Sequence, residues 1–154
     1  MDIIEAEEQA EKDVLAEREA ALARELEAMR KRKRKLVDPL QYALSIAAED
    51  LTNYVPTFMW EQAPPSEKQL QFLERRGIFP ESVANCGMAS LLIDRLKRRQ
   101  QEGLATPKQI RCLEKYGFRR VGTWLFNDAS RMISMLANNG WQVPYGMQPA
   151  AYRP

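Results

Sequence analysis

Ser66-Glu67-Lys68-Gln69-Leu70-Gln71-Phe72-Leu73-Glu74-Arg75-Arg76-Gly77-Ile78 and Thr106-Pro107-Lys108-Gln109-Ile110-Arg111-Cys112-Leu113-Glu114-Lys115-Tyr116-Gly117-Phe118 are one pattern written twice. Aligned without a gap, residues 66–96 and 106–136 share nine identical positions, and Ala89-Ser90-x-x-Ile93-x-x-Leu96 recurs as Ala129-Ser130-x-x-Ile133-x-x-Leu136. A fixed offset of this length marks a supersecondary unit used twice.

Each copy carries the punctuation of a helix, a loop and a second helix. Ser66 and Thr106 can accept the orphan amides of a helix start. Gly77 and Gly117 supply the left-handed residue that ends it, and apolar Ile78 or Phe118 folds back on the last turn. Small Ala89 and Ala129 let the second helices approach closely. Leu92, Ile93, Leu96 and Met132, Ile133, Leu136 form the inward stripe, and Leu70, Leu73, Ile110, Leu113 and Tyr116 face the same core. Two such hairpins predict a four-helix domain over 66–144 that folds alone, with Trp124, Phe126 and Trp141 capping its ends.

Outward from the repeat, no Gly or Pro occurs before Pro39, and a composition of Ala, Glu, Arg and Leu predicts one helix from about Ile3 to Lys35. At ~1.5 Å per residue it is about 50 Å long. Its apolar strip, Ile4, Leu15, Leu22, Leu26 and Met29, is thin for a coiled coil and suits docking onto a partner. Asp38-Pro39 predicts a helix start, with Leu40, Ala43, Leu44, Ala47, Ala48 and Leu51 carrying one helix to about Tyr54. Residues 55–65 predict an extended connector pinned to a hydrophobic surface by Phe58 and Trp60. The expected class is all-α. The expected organisation is a charged helical arm over 1–35, a helix and connector over 36–65, the duplicated domain over 66–144 and an extended tail over 145–154.

The net charge of +2 hides a strong asymmetry. Residues 1–29 hold ten acids and three bases, Arg30–Lys35 is an unbroken basic run, and residues 66–154 hold fourteen bases against seven acids. A cationic domain masked by an acidic arm favours polyanionic partners.

The same sequence excludes much chemistry. With no histidine, a Ser-His-Asp triad, a Cys-His dyad and a His-ligated metal site are ruled out, and two cysteines alone cannot form a four-thiolate zinc site. Cys86 falls in a loop and Cys112 in the core. Neither a Gly-rich phosphate loop with Lys-Ser/Thr nor a Gly-x-Ser-x-Gly elbow occurs. No enzyme activity, metal or cofactor is expected. No apolar run approaches the ~18 residues needed to span a bilayer, and the acidic start is unlike a signal peptide. The expected setting is cytoplasmic, with no membrane partner.

Binding is the function class left. Lys68, Gln69, Lys108 and Gln109 stand in first turns whose free amides suit anions. Arg75, Arg76, Lys97, Arg98, Arg99, Arg111, Lys115, Arg119 and Arg120 add cations that hold phosphates without reading sequence. The competing reading is that these are ordinary solvated helix residues. Tyr116 and Trp124 are candidates for base stacking, although core packing is the commoner role of such rings.

Thr106 to Phe118, followed by Val121-Gly122-Thr123-Trp124 and Asn139-Gly140-Trp141-x-Val143-Pro144, resembles the C-terminal tail of superfamily-two (DEAD/DEAH, Swi/Snf-like) helicases of bacterial prophages and integrative elements. Tyr54-Val55-Pro56-Thr57-Phe58-x-Trp60-Glu61 and Pro149-Ala150-x-Tyr152 resemble it too, so the likeness runs over most of the chain. Leu125 stands where a small polar helix cap is expected. The helicase motor motifs lie upstream of that tail and none is present here. The resemblance implies an accessory nucleic-acid-binding piece of a helicase or a separate subunit, with DNA placed ahead of RNA although no residue distinguishes them. Other expectations are a protein-interaction adaptor and a small helical subunit of a CRISPR-type nucleic-acid-guided complex.

Overall fold

The computed structural model describes residues 2–154. Among them the regular structure is helical, with only two isolated bridges and no strand. The chain divides into two units, one ending at Lys35 and the other spanning Leu36–Pro154.

The first unit is a single helix, α1 (Ile3–Lys35), with the predicted bounds. Glu5 in its first turn and Arg32, Lys33, Arg34 and Lys35 in its last complement the helix dipole. It buries no residue. Within this unit its order rests on propensity and on local pairs such as Gln9 Nε2 donating to Asp13 at 3.0 Å, each of which contributes little.

The second unit starts as predicted and then departs. Asp38 accepts the Gln41 amide at 3.0 Å, and Pro39 opens α2 (Pro39–Ser45). The predicted continuous helix breaks at Ala47, which takes φ 55°, before α3 (Glu49–Thr52). That left-handed alanine costs ~1–2 kcal/mol. The break is what turns Tyr42, Ala43, Ala48 and Leu51 into the core, whereas Leu40 and Leu44, predicted on the buried stripe, are more than half exposed.

The connector is not pinned by its rings. Phe58 and Trp60 are exposed, and residues there form a turn of helix, α4 (Met59–Gln62). Polar contacts hold it instead. The Tyr54 hydroxyl donates to Glu61 Oε2 at 2.6 Å, and the Thr57 amide donates to the same oxygen at 3.0 Å. Burial, then Glu61, pushes the Tyr54 phenol up to about 12. The Tyr54 hydrogen bond, then the Thr57 amide, holds the Glu61 carboxyl below its ordinary value of 4.5. Stability from Glu61 is therefore present above 4.5 and lost as pH falls through its lowered pKa. Stability from Tyr54 is complete below its unfolded value of 10 and lost as pH rises from there to about 12. Buried Tyr42, also raised, steepens the alkaline limb. In urea melts across pH, Glu61→Gln should flatten the acid limb and bring a tyrosinate absorbance step down toward 10.

The duplicated segment folds as α5 (Glu67–Arg75), α6 (Cys86–Gln101), α7 (Pro107–Lys115) and α8 (Phe126–Asn138), with 3₁₀ turns at Pro80–Ser82 and Val121–Thr123 between partners. Both first helices are nine residues long and both end alike. Gly77 and Gly117 adopt φ 87° and 94°. The amides of Ile78 and Phe118 reach back to the carbonyls of Leu73 and Leu113 at 2.9 and 3.2 Å. Leu73, Ala89, Leu92, Leu113, Ala129 and Leu136 are wholly buried, as the inward stripe predicts. Cys86 opens α6 rather than lying in a loop.

The compact unit is larger than 66–144. Val37 pairs alongside Ile78, its amide donating to Gly77 and its carbonyl accepting from Phe79, both at 2.7 Å. At the other end the predicted extended tail contains a 3₁₀ turn, Pro149–Ala151, and seats Tyr152 against Phe118 and Trp124 at 5.7 and 5.5 Å. Trp124 is thereby a core residue, not an end cap. Phe126 and Trp141, also predicted as caps, are about half exposed, with Trp141 stacked on Tyr116 at 6.3 Å.

Candidate nucleic-acid interface

The residues predicted to touch phosphate separate into structural and available groups. Gln69 and Gln109 are structural. Each closes a capping box, accepting the Ser66 or Thr106 amide (2.9 and 3.0 Å) while its own amide donates to that residue's hydroxyl at 3.2 Å. Each side-chain NH2 then crosses to the second helix of its hairpin, donating to Ser90 at 3.1 Å and to Ser130 at 2.9 Å. The recurrence of Lys-Gln and Ala-Ser at one offset thus records a hairpin lock in both copies. The starts of α5 and α7 are capped rather than open to anions. Gln69→Ala should cost about 1–2 kcal/mol in chemical denaturation and leave nucleic-acid affinity unchanged.

Arg111 and Arg99 are also tied into the fold. Arg111 Nη1 donates to the Leu36 carbonyl at 2.6 Å. Arg99 is 9% exposed, and its Nη2 donates to the Ala105 carbonyl at 3.2 Å. Arg95, not among the predicted contacts, chelates Asp50 through both carboxylate oxygens at 2.8 Å. Arg76 and Lys97 share the Phe72 ring, 4.8 and 5.4 Å from its centre, and Lys115 lies 5.9 Å from that of Tyr116. Trp124 is too buried to stack on a base.

Lys68, Arg75, Lys97, Arg98, Lys108, Lys115, Arg119 and Arg120 are exposed. They do not form one patch. Arg119 and Arg120 line a shallow depression with Glu114 and Tyr116. Arg75 and Lys108 line a cleft between the two hairpins, of about 610 Å³, together with Arg76 and Arg99. No acidic residue lines it. Its other walls come from Tyr42, Leu96, the 103–105 loop and the α8 start, Phe126 and Asn127.

Local structure explains why these groups meet there. Gly77, with positive φ and no side chain, lets the Lys108 methylenes lie across the end of α5; a β-carbon there would stand 3.0 Å from Lys108 Cγ. On the far wall the Phe126 amide donates to Gly103 at 2.8 Å, and the Ala105 amide donates to Trp124 at 3.0 Å, fixing the loop to the start of α8. Leu125 holds the cap position of α8 and offers no side-chain acceptor. In the first copy Asn85 fills that position and accepts the Met88 amide at 2.8 Å. The polar cap missing from the sequence is missing from the structure.

Two floor groups are also left open. The Tyr42 hydroxyl and Arg99 Nε are buried without a hydrogen-bond partner. Arg99 is close enough to draw the Tyr42 phenol downward, although burial outweighs it and leaves the phenol raised.

The chain matches no family model, no curated protein and no solved structure.

The arm has a different surface. Ile4, Leu15, Leu22, Leu26 and Met29, the predicted docking strip, are all exposed, as are Ile3 and Val14. No helix among the described residues is long and apolar enough to cross a membrane. Tyr42, Phe126 and Asn127 are the cleft residues that sequence reading did not assign to binding. The one signal for them was Leu125 at a cap position.

Proposed function

We propose that the chain is a non-catalytic nucleic-acid-binding module, an accessory domain or subunit of a larger DNA- or RNA-processing assembly of the helicase-associated kind. The observation that carries this reading is the cleft between the hairpins, where four cations converge with no carboxylate among them. Exposed Lys68, Lys97, Arg98, Lys115, Arg119 and Arg120 extend the positive field around it. Contacts of this kind neutralise phosphates and release counterions, so binding is sequence-tolerant and falls with salt.

In fluorescence anisotropy with a labelled oligonucleotide, the logarithm of affinity should fall linearly with the logarithm of salt, with a slope of about −3 for four phosphate contacts. Two oligonucleotides of unrelated sequence should give the same line. A flat salt response would refute the reading.

A second reading, a protein-interaction adaptor, is favoured by the arm. A 33-residue helix that buries nothing within its unit and exposes a strip of large apolar side chains is suited to docking on a partner helix or groove. The two readings are compatible in one subunit, with the arm as tether and the repeat domain as binder. Deleting residues 2–29 should then abolish partner capture and leave oligonucleotide affinity in place.

A further inference from the structure

We infer that the cleft between the two hairpins is a seat for one nucleotide of a single strand, with its phosphate among Arg75, Arg76, Arg99 and Lys108 and its unpaired base against Phe126. This deepens the nucleic-acid reading and rests on it.

Three independent features point to an anion at this place. The first is charge: four cationic side chains and no acid line the cleft. The second is a set of open donors. Tyr42 is 1% and Arg99 9% exposed, yet the Tyr42 hydroxyl and Arg99 Nε have no partner, and both residues line the floor. A buried donor without an acceptor is costly, and a phosphate oxygen is an acceptor that relieves it. The third is the α8 start. Its thirteen-residue helix has no side-chain cap, and no acceptor reaches the amides of Asn127 and Asp128, whereas α5, α6 and α7 are all capped by side chains. Asp128, the acid of that first turn, is engaged by Arg131 at 3.6 Å and does not line the cleft.

Shape and apolar surface extend the ligand beyond a bare phosphate. A concave volume of about 610 Å³ is of the size that encloses a small organic ligand. Phe126 is 46% exposed at its wall, Leu104 adds apolar surface, and Asn127 adds an amide able to meet a base edge. A duplex keeps its bases stacked inside and offers such a cleft only phosphate. An unstacked strand can insert the base as well.

The same chemistry could come from a free mononucleotide, and the test separates the two. The full chain is titrated by anisotropy with a short labelled oligo-thymidylate and with a duplex of equal length, and by equilibrium dialysis with thymidine monophosphate. Two variants are compared, Leu125→Asn, which restores the cap seen at Asn85, and Phe126→Ala. The single strand should bind about tenfold more tightly than the duplex, and Phe126→Ala should collapse that preference. Leu125→Asn should raise the melting temperature and yet weaken single-strand binding several-fold, because the new side chain takes the donors the phosphate uses. A merely structural role would not give opposite signs.

Equal affinity for strand and duplex, or wild-type affinity in both variants, overturns the nucleotide seat while leaving general nucleic-acid binding intact. Mononucleotide binding without polymer binding upholds the seat and overturns the nucleic-acid function. If none of the three probes binds, both are overturned.

Discussion

Replacing Arg75, Arg76 and Lys108 together with Glu should weaken oligonucleotide binding by about a hundredfold or more at low salt and reduce the steepness of its salt dependence by about 2–3. These cations line the cleft from the end of α5 and the start of α7, and none has an acidic partner among the described residues. Their reversal therefore removes attraction and installs repulsion at one place. Arg99 is left out because its bond to the Ala105 carbonyl ties it to the loop beneath. Reversing Arg119 and Arg120 instead adds the same kind of charge beside Glu114, in the shallow depression, and should cost far less. Lys108 also packs over Gly77, so a modest fall in thermal stability is expected with the triple change. Equal losses from the two sets would show that only total charge matters and that the cleft is not the site. Wild-type affinity in the triple variant would dismiss the cleft altogether.

Leu113→Ala should destabilise the Leu36–Pro154 unit by about 3 kcal/mol, lowering its melting temperature by about 10–15 °C. Leu113 is fully buried, and its carbonyl takes the Phe118 amide that ends α7, so the truncated site leaves a cavity that a fixed helix end cannot close. Leu73 occupies the matching place in the first hairpin with the same burial. Leu73→Ala should therefore cost a similar amount, and both variants should unfold in one transition, because the buried cluster draws on both hairpins, on α2 and α3, and on the tail. Two transitions, with each variant lowering only one, would show hairpins that are separately stable.

Much of the fold was legible because its signals are local. Ser66 with Gln69, Thr106 with Gln109, and Gly77 and Gly117 each specify a helix end within a few residues, and Ala89 and Ala129 mark the close approach of the second helices. The helical arm followed from composition alone. What was hidden depends on apposition. The break at Ala47 is flanked by apolar residues at helical spacing on both sides, so periodicity runs through it. Phe58 and Trp60 looked like anchors because large rings usually are, whereas the connector is held by Tyr54 and Glu61. A run such as Lys97-Arg98-Arg99 gives charge but no direction, and only the fold shows that Arg99 turns inward. The roles of Gln69 and Gln109 were misread because a residue repeated for a structural lock and one repeated for a ligand look the same in sequence. Leu125 was the one local irregularity that pointed at the cleft, and its meaning required the neighbouring hairpin.

The span of the chain's own contacts sets an order of assembly. The locks within the hairpins, Gln69 to Ser90 and Gln109 to Ser130, each join residues 21 apart in sequence. The bond from Arg111 to the Leu36 carbonyl spans 75. Loop closure over the longer span costs about 1 kcal/mol more in chain entropy. Hairpin formation therefore comes early and the seating of Leu36 and Val37 late. On a ribosome the order is enforced more strictly, because Leu36 emerges long before its partner Arg111 has been made. Until the second hairpin is complete, the nascent chain carries the apolar faces of Val37, Tyr42 and Ala43 without that hairpin's share of the core, and this is its most aggregation-exposed interval.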